Sequence, residues 1–221
     1  MSQFTEPRER RNPDRAKSRE VNYTFPMHSP LNPELVVFLG NPGKQYSQTR
    51  HNTGRMLLSF LPDTDSLIWR EKFNGRIADY STTISRCRFL LPETFMNRSG
   101  LSVSAAVNFY KINLNNLLVV HDDLELPFGA YSWREGGGLA GHNGLKSLKD
   151  SLGGTGFLRL RLGIGRPVRG TVQSWVLGRF TPEEEGILPL VLSHAAESFT
   201  GIISGRESFQ KYAEPVMVYS P

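Results

Sequence analysis

Two short apolar runs, ELVVFLG (34–40) and NNLLVVHDD (115–123), break off abruptly into polar residues: the first into Asn-Pro-Gly, the second into His-Asp-Asp. Neither run alternates apolar with polar. Continuous apolar runs of this length suit strands buried on both faces, as in the middle of a parallel sheet. A sheet of that kind needs helices over both of its sides, and this restricts the fold more than any other feature of the chain.

The remaining segments supply that cover. TGRMLLSFL (53–61) has the spacing of a short amphipathic helix. GRIADYS and TISRCRFLL (about 75–91) predict two adjacent strands, with Cys87 an ordinary strand residue. SGLSVSAAVNFYKI (99–112) predicts a helix with Ser99 as its N-cap. GAYSWRE (129–135) predicts a strand, and NGLKSLKDSLG (143–153) a helix closed by glycine. FLRLRLGIG (157–165) alternates apolar with basic, which predicts a strand with one wet face. TPEEEGILPLVLSHAAESFTGII (181–203) opens on Thr-Pro and three acidic residues, a strong helix start. Strands alternate with helices. The expected fold class is therefore α/β: a single domain with a mixed, mostly parallel twisted sheet and helices on both faces.

Residues 1–33 read as a disordered N-terminal tail, leaving 34–221 as the folded domain. EPRERRNPDRAKSREVN mixes both charges and has almost no apolar surface to bury. Met27, just ahead of the folded part, is a candidate start. No apolar run reaches the roughly 18 residues that span a bilayer, so no membrane association is expected. A single cysteine rules out an intramolecular disulfide and a cysteine-rich zinc site. The net charge of +5 is mild, but its distribution is uneven. Between Ser151 and Pro182 there is no acidic residue, whereas Arg159, Arg161, Arg166, Arg169 and Arg179 all fall there. Either a solvated basic face or a surface for an anionic partner would account for it.

In open α/β sheets the ligand site lies beyond the C-terminal ends of the strands. Three polar clusters follow strand ends here, NPGKQYSQTRHN, PETFMN and HDDLELP, and GGGLAGHNG precedes a helix. Together they offer the His51 imidazole, the carboxylates Asp122 and Asp123, and the amides of Asn41, Asn97 and Asn143. A histidine paired with an aspartate is a general-base arrangement, and amides can bind a peptide-like group or a developing oxyanion. There is no G-x-S-x-G elbow, so water is the expected nucleophile. GLAGHNGLKS lacks the G-K-[ST] ending of a phosphate loop. No histidine pair stands at metal spacing on one helix, so a metal is not expected, although His121 with Asp122 and Asp123 could bind a cation. Blander readings compete at several positions: Asn97 as a helix cap, Met96 and Phe95 as core residues, and His121 as a packed, satisfied histidine.

LGNPGKQYSQTRHNTG, PETFMNRSG, HDDLELPFG, GGGLAGHNGLKSL and FLRLRLGIGRP, in this order and spacing, resemble the bacterial-type peptidyl-tRNA hydrolase family from about residue 35 to about 200. The resemblance implies a cofactor-free, monomeric, cytoplasmic enzyme. Its reaction would be hydrolysis of the ester between a peptide and the 3′-terminal ribose of tRNA. On the matching positions it implies His51 as catalytic base and Asp122 as its orienting partner. Asn41, Asn97 and Asn143 would hold the peptidyl part and the attacking water, and Met96 and His142 would line the pocket. Tyr46 would contact the tRNA end, while Arg134 and Arg161 would clamp tRNA phosphates. The chain departs from the family pattern at Phe38 and Ala140, where glycine is usual, and at Leu91, where lysine is usual. Phe38 and Ala140 are expected to narrow space near the site. Two other readings stay open: a non-catalytic RNA-binding relative of the same fold, and a hydrolase of aminoacylated small molecules.

Overall fold

The computed structural model describes residues 33–82, 85–204 and 215–220. The charged segment expected as a tail lies outside the described residues. In chain order the elements are β1 (Leu35–Phe38), α1 (Thr53–Met56), β2 (Arg70–Lys72), β3 (Gly75–Ser81), β4 (Arg86–Pro92), α2 (Ser99–Tyr110), β5 (Leu117–Asp123), β6 (Ala130–Glu135), α3 (Asn143–Leu152), β7 (Leu158–Gly163), α4 (Val172–Val176), α5 (Pro182–Ile203) and β8 (Val216–Met217).

The described strands form one mixed sheet in the order β2-β3-β4-β1-β5-β7-β6-β8. The four central strands, β4, β1, β5 and β7, are parallel, and the flanks are antiparallel. The two apolar runs that set the expectation are β1 and β5, side by side in register from Leu35↔Leu117 to Phe38↔Val120. Side chains alternate across a strand. Leu35, Val37, Leu117 and Val119 therefore meet Val103, Ala106, Leu145 and Leu148 of α2 and α3 on one face. Val36, Phe38, Leu118 and Val120 meet Leu192, Ala195, Phe199 and Ile202 of α5 on the other.

Helix α5 starts as its sequence requires, with Pro182 in the first turn and a capping box between Thr181 and Glu184. It is long and apolar enough to cross a membrane by length and composition, although polar residues interrupt its apolar runs. Here half of that apolar stretch is buried inside the protein. Cys87 is buried on β4, and burial pushes its thiol up to about 12, so it sits as a neutral strand residue.

Several expectations need correction. The segment at 53–61 is only one turn of α-helix, continued by a 3₁₀ turn over Leu57–Phe60. Ser99 does not cap α2. The chain enters that helix through a 3₁₀ turn over Met96–Arg98, so Ser99 is already helical and its buried hydroxyl has no partner. Nor does β7 have a wet face. The guanidinium of Arg159 is buried and donates to the carbonyls of Gly136 and Gly138, because the Gly-rich loop folds over it. Phe38 sits away from the site, packed edge-to-face on Phe89 with ring centres 5.0 Å apart.

Candidate active site

Because β4, β1 and β5 are parallel, their C-terminal ends open on the same edge of the sheet, and the loops that follow them meet there. The loop after β1 makes two 3₁₀ turns, Lys44–Tyr46 and Arg50–Asn52, before α1. Gly54 lets it lie flat on the strand ends. A Cβ at that position would stand 2.6 Å from the Val120 carbonyl oxygen and 2.8 Å from that of Leu39. His51, three residues earlier, is thereby held over the end of β5.

His51 Nδ1 lies 2.9 Å from each carboxylate oxygen of Asp122. Asp122 is deprotonated and only accepts, so Nδ1 carries the ring proton and Nε2 keeps its lone pair. His142 reaches the same carboxylate from the other side, with Nε2 2.9 Å from Asp122 Oδ1. Its Nδ1 caps α3, accepting from the backbone N–H groups of Gly144 and Leu145. An accepting Nδ1 requires the proton on Nε2, so His142 also donates to Asp122.

Burial pushes Asp122 up, but the two imidazoles and their hydrogen bonds outweigh it and hold the carboxyl well below the usual range. Burial pushes His51 down, yet the Asp122 charge and hydrogen bond reverse this and leave it raised above its ordinary value. His121, expected to be packed and satisfied, is only half so. Its Nδ1 donates to the Asp122 carbonyl at 2.6 Å, while the buried Nε2 has no partner among the described residues. Burial, and next the His142 ring, pull His121 down to about 3, so it stays neutral.

Asn41 is locked by its neighbours. Its Oδ1 accepts from the Met96 backbone N–H at 2.8 Å, and the Nδ2 amide donates to no other described residue. The Asn41 backbone is clamped at both polar atoms by the Asn52 side chain, at 2.8 and 2.9 Å. Sequence reasoning passed over Asn52; a second amide eleven residues after the first, flanking the histidine, was the available signal. Asn97 and Asn143 are exposed and make no side-chain hydrogen bond to another described residue. Tyr46 and Phe95 stand edge-to-face with ring centres 6.4 Å apart. Phe95 is 56% exposed, which corrects its reading as core; Met96 is buried.

Eight of the ten predicted site residues, Asn41, Tyr46, His51, Met96, Asn97, Asp122, His142 and Asn143, line a single cavity of about 680 Å³. Part of its lining comes from α4, which packs beside the His51 turn and which the sequence reading missed. Ala140 is on the rim with φ +47°, a left-handed conformation in which its methyl group is strained.

Arg134 and Arg161 do not line the cavity. They share a sheet face with Arg159, and burial followed by these two neighbouring cations lowers Arg159 to about 10. Arg161 Nε donates to Asp123 at 2.7 Å. The acid-free stretch is therefore no uniformly basic face, contrary to one sequence expectation. Arg161, Arg166 and Arg179 pair with Asp123, Glu125 and Glu185, carboxylates that lie outside the stretch or at its border.

His51, Asp122 and His142 place their ligating atoms within 4.8 Å, close enough for a metal by distance alone. The proton pattern opposes one. A cation on His142 Nε2 would drive the ring proton onto Nδ1, against the two N–H groups it now accepts from.

Comparison with known proteins bears on this site. The family model described as peptidyl-tRNA hydrolase matches residues 35–217. Peptidyl-tRNA hydrolase of Geobacter sp. (strain M21) is 46% identical over 171 residues, 77% of this chain and 91% of that one. The enzyme of Treponema pallidum is 48% identical over 161 residues, 71% and 80% of the two chains. Among solved structures, peptidyl-tRNA hydrolase from Acinetobacter baumannii superposes with a TM-score of 0.74 at 35% identity, covering 81% of this chain and 92% of that one.

Proposed function

This chain belongs to the peptidyl-tRNA hydrolase family, and from that premise we propose how its cavity breaks an ester bond. The chain is a hydrolase of peptidyl-tRNA, so its substrate carries tRNA. In the proposed mechanism His51 Nε2 takes a proton from a water molecule while Asp122 steadies the imidazolium that forms. The hydroxide attacks the ester carbonyl carbon. The amide Nδ2 of Asn41, already oriented by Met96, donates to the developing oxyanion, with Asn97 and Asn143 holding the water and the peptidyl group. Collapse releases the 3′-ribose oxygen, which takes the proton back from His51. One water is consumed, and a free peptide acid and a free tRNA hydroxyl result. No covalent intermediate is needed, because a ribose alkoxide leaves more easily than an amine.

The observation that carries this reading is the His51–Asp122 contact at 2.9 Å, which leaves Nε2 without a partner among the described residues on the wall of the cavity. Tyr46, Met96 and His142 then shape the pocket around the tRNA end and the peptide, and Arg134 and Arg161 meet tRNA phosphates. The proposed form is a monomer acting in the cytoplasm, without a cofactor.

The test compares N-blocked aminoacyl-tRNA with the free aminoacylated nucleoside ester, using wild type and His51→Ala. Release from the tRNA substrate that drops about 10²–10⁴-fold in the variant supports the proposal. Tight tRNA binding without release would point to a non-catalytic RNA-binding relative. Efficient cleavage of the nucleoside ester alone would point to a small-molecule esterase.

A further inference from the structure

The residue immediately before His51 has no part in the chemistry just described, yet it is among the most enclosed side chains of the protein. Arg50 is 1% exposed. Its guanidinium grips Glu184 with both prongs, Nη1–Oε1 at 3.0 Å and Nη2–Oε2 at 2.5 Å. One face lies 3.7 Å from the ring centre of Trp175, and Phe180 stands 4.6 Å from it. The backbone is tied as well, with the Arg50 N–H donating to the Gly178 carbonyl at 3.0 Å.

Each partner has its own anchor. Trp175 belongs to α4, whose Val172, Gln173 and Val176 line the same cavity as His51, and its Nε1 donates to the carbonyls of Ile164 and Gly165. Glu184 is the capping-box residue of α5, and the same carboxylate accepts from the Thr181 N–H at 2.8 Å. One guanidinium thus joins three pieces: the turn bearing His51, the cavity-lining helix α4, and the first turn of α5. Lysine could not replace it, since an ammonium offers neither a planar fork nor a flat face for stacking.

We infer that Arg50 is a positioning residue, which sets the His51 turn against the α4 wall and so fixes where the imidazole meets the ester. Its effect is on the placement of the base in the bound complex rather than on capture of the substrate. The inference rests on the reading of His51 as the base. It also separates Arg50 from the arginines proposed to meet phosphate: a buried, fully forked guanidinium has no face left for tRNA.

The test is steady-state kinetics of the full chain on N-blocked aminoacyl-tRNA, together with Tm and an NMR titration of the His51 ring. The variants are Arg50→Lys, Glu184→Gln and His51→Ala. Arg50→Lys, assayed where it is folded, is expected to lose at least tenfold in kcat with KM changed less than threefold. The His51 titration is expected to move down as its contact with Asp122 loosens. Arg50→Lys that is folded, with kcat within twofold of wild type and an unmoved titration, overturns the inference, whatever its Tm. If Arg50→Lys does not fold, Glu184→Gln decides by the same criteria, since glutamine preserves the capping box while weakening the fork. Loss of activity in His51→Ala with an unaffected Arg50→Lys sinks only this inference. Full activity in His51→Ala sinks the reading of the base itself.

Discussion

The two sides of the cavity are built differently. On the carboxylate side every group is held. Asp122 accepts from two imidazoles, His142 is pinned by the N-terminal amides of α3, and Asn41 is fixed through Met96 and Asn52. On the rim Asn97, Asn143 and Phe95 are exposed, and neither asparagine side chain hydrogen-bonds to another described residue. The contrast separates two tasks. Proton transfer needs groups placed to within a fraction of an ångström, and a pre-paired network supplies that without reorganisation. The rim meets the substrate and gains its order on binding. Mutations on the fixed side should therefore register in kcat and stability, and those on the open side in KM.

Asp122→Asn tests the fixed side most severely. An amide cannot accept from both rings with the same charge, so a kcat loss of about 10²–10⁴-fold is expected, measured on N-blocked aminoacyl-tRNA. Asn41→Ala should cost about 10²-fold in kcat by removal of an oxyanion donor. It should also cost about 1–3 kcal/mol in denaturant unfolding, because the Met96 N–H is left buried and unpaired. Asn143→Ala should leave the unfolding midpoint in place and raise KM; a kcat loss as large as that of Asn41→Ala would erase the distinction between the two sides. Substituting Arg134 or Arg161 by Gln should flatten the log–log salt dependence of tRNA binding by about 0.7–0.9 per contact. The smallest effect belongs to the rim backbone. Ala140→Gly relieves a left-handed alanine and should stabilise the fold by up to about 1 kcal/mol, seen as a small rise in Tm.

Much of this was legible in the sequence, and for a common reason. β1 and β5 were readable because a strand buried on both faces leaves an unbroken apolar run, and the site followed because the loops after such strands must converge. His51, Asp122 and the three asparagines stood out as polar residues with no core duty. What escaped depends on contacts between segments distant in the chain. Arg159 looked solvent-facing because alternation reports a face but not what covers it; the Gly-rich loop covers this one. Phe38 looked like an obstruction only while its direction was unknown, and a neighbouring phenylalanine on β4 takes it up. The bond from His142 to Asp122, across twenty residues, is set by where α3 begins over the sheet. Short elements such as α4 and β2 carry too few residues to show a period.

The most direct test of the central claim is the pH profile of kcat/KM for wild type and Asp122→Asn. In wild type the active form is neutral His51, so activity should fall as pH drops through a value above the ordinary imidazole pKa of about 6.5. Removing the carboxylate charge leaves burial as the main influence, so in the variant that acid limb should move to lower pH, even as the plateau collapses. An acid limb at the same pH in both proteins would contradict a base at residue 51 held and raised by Asp122.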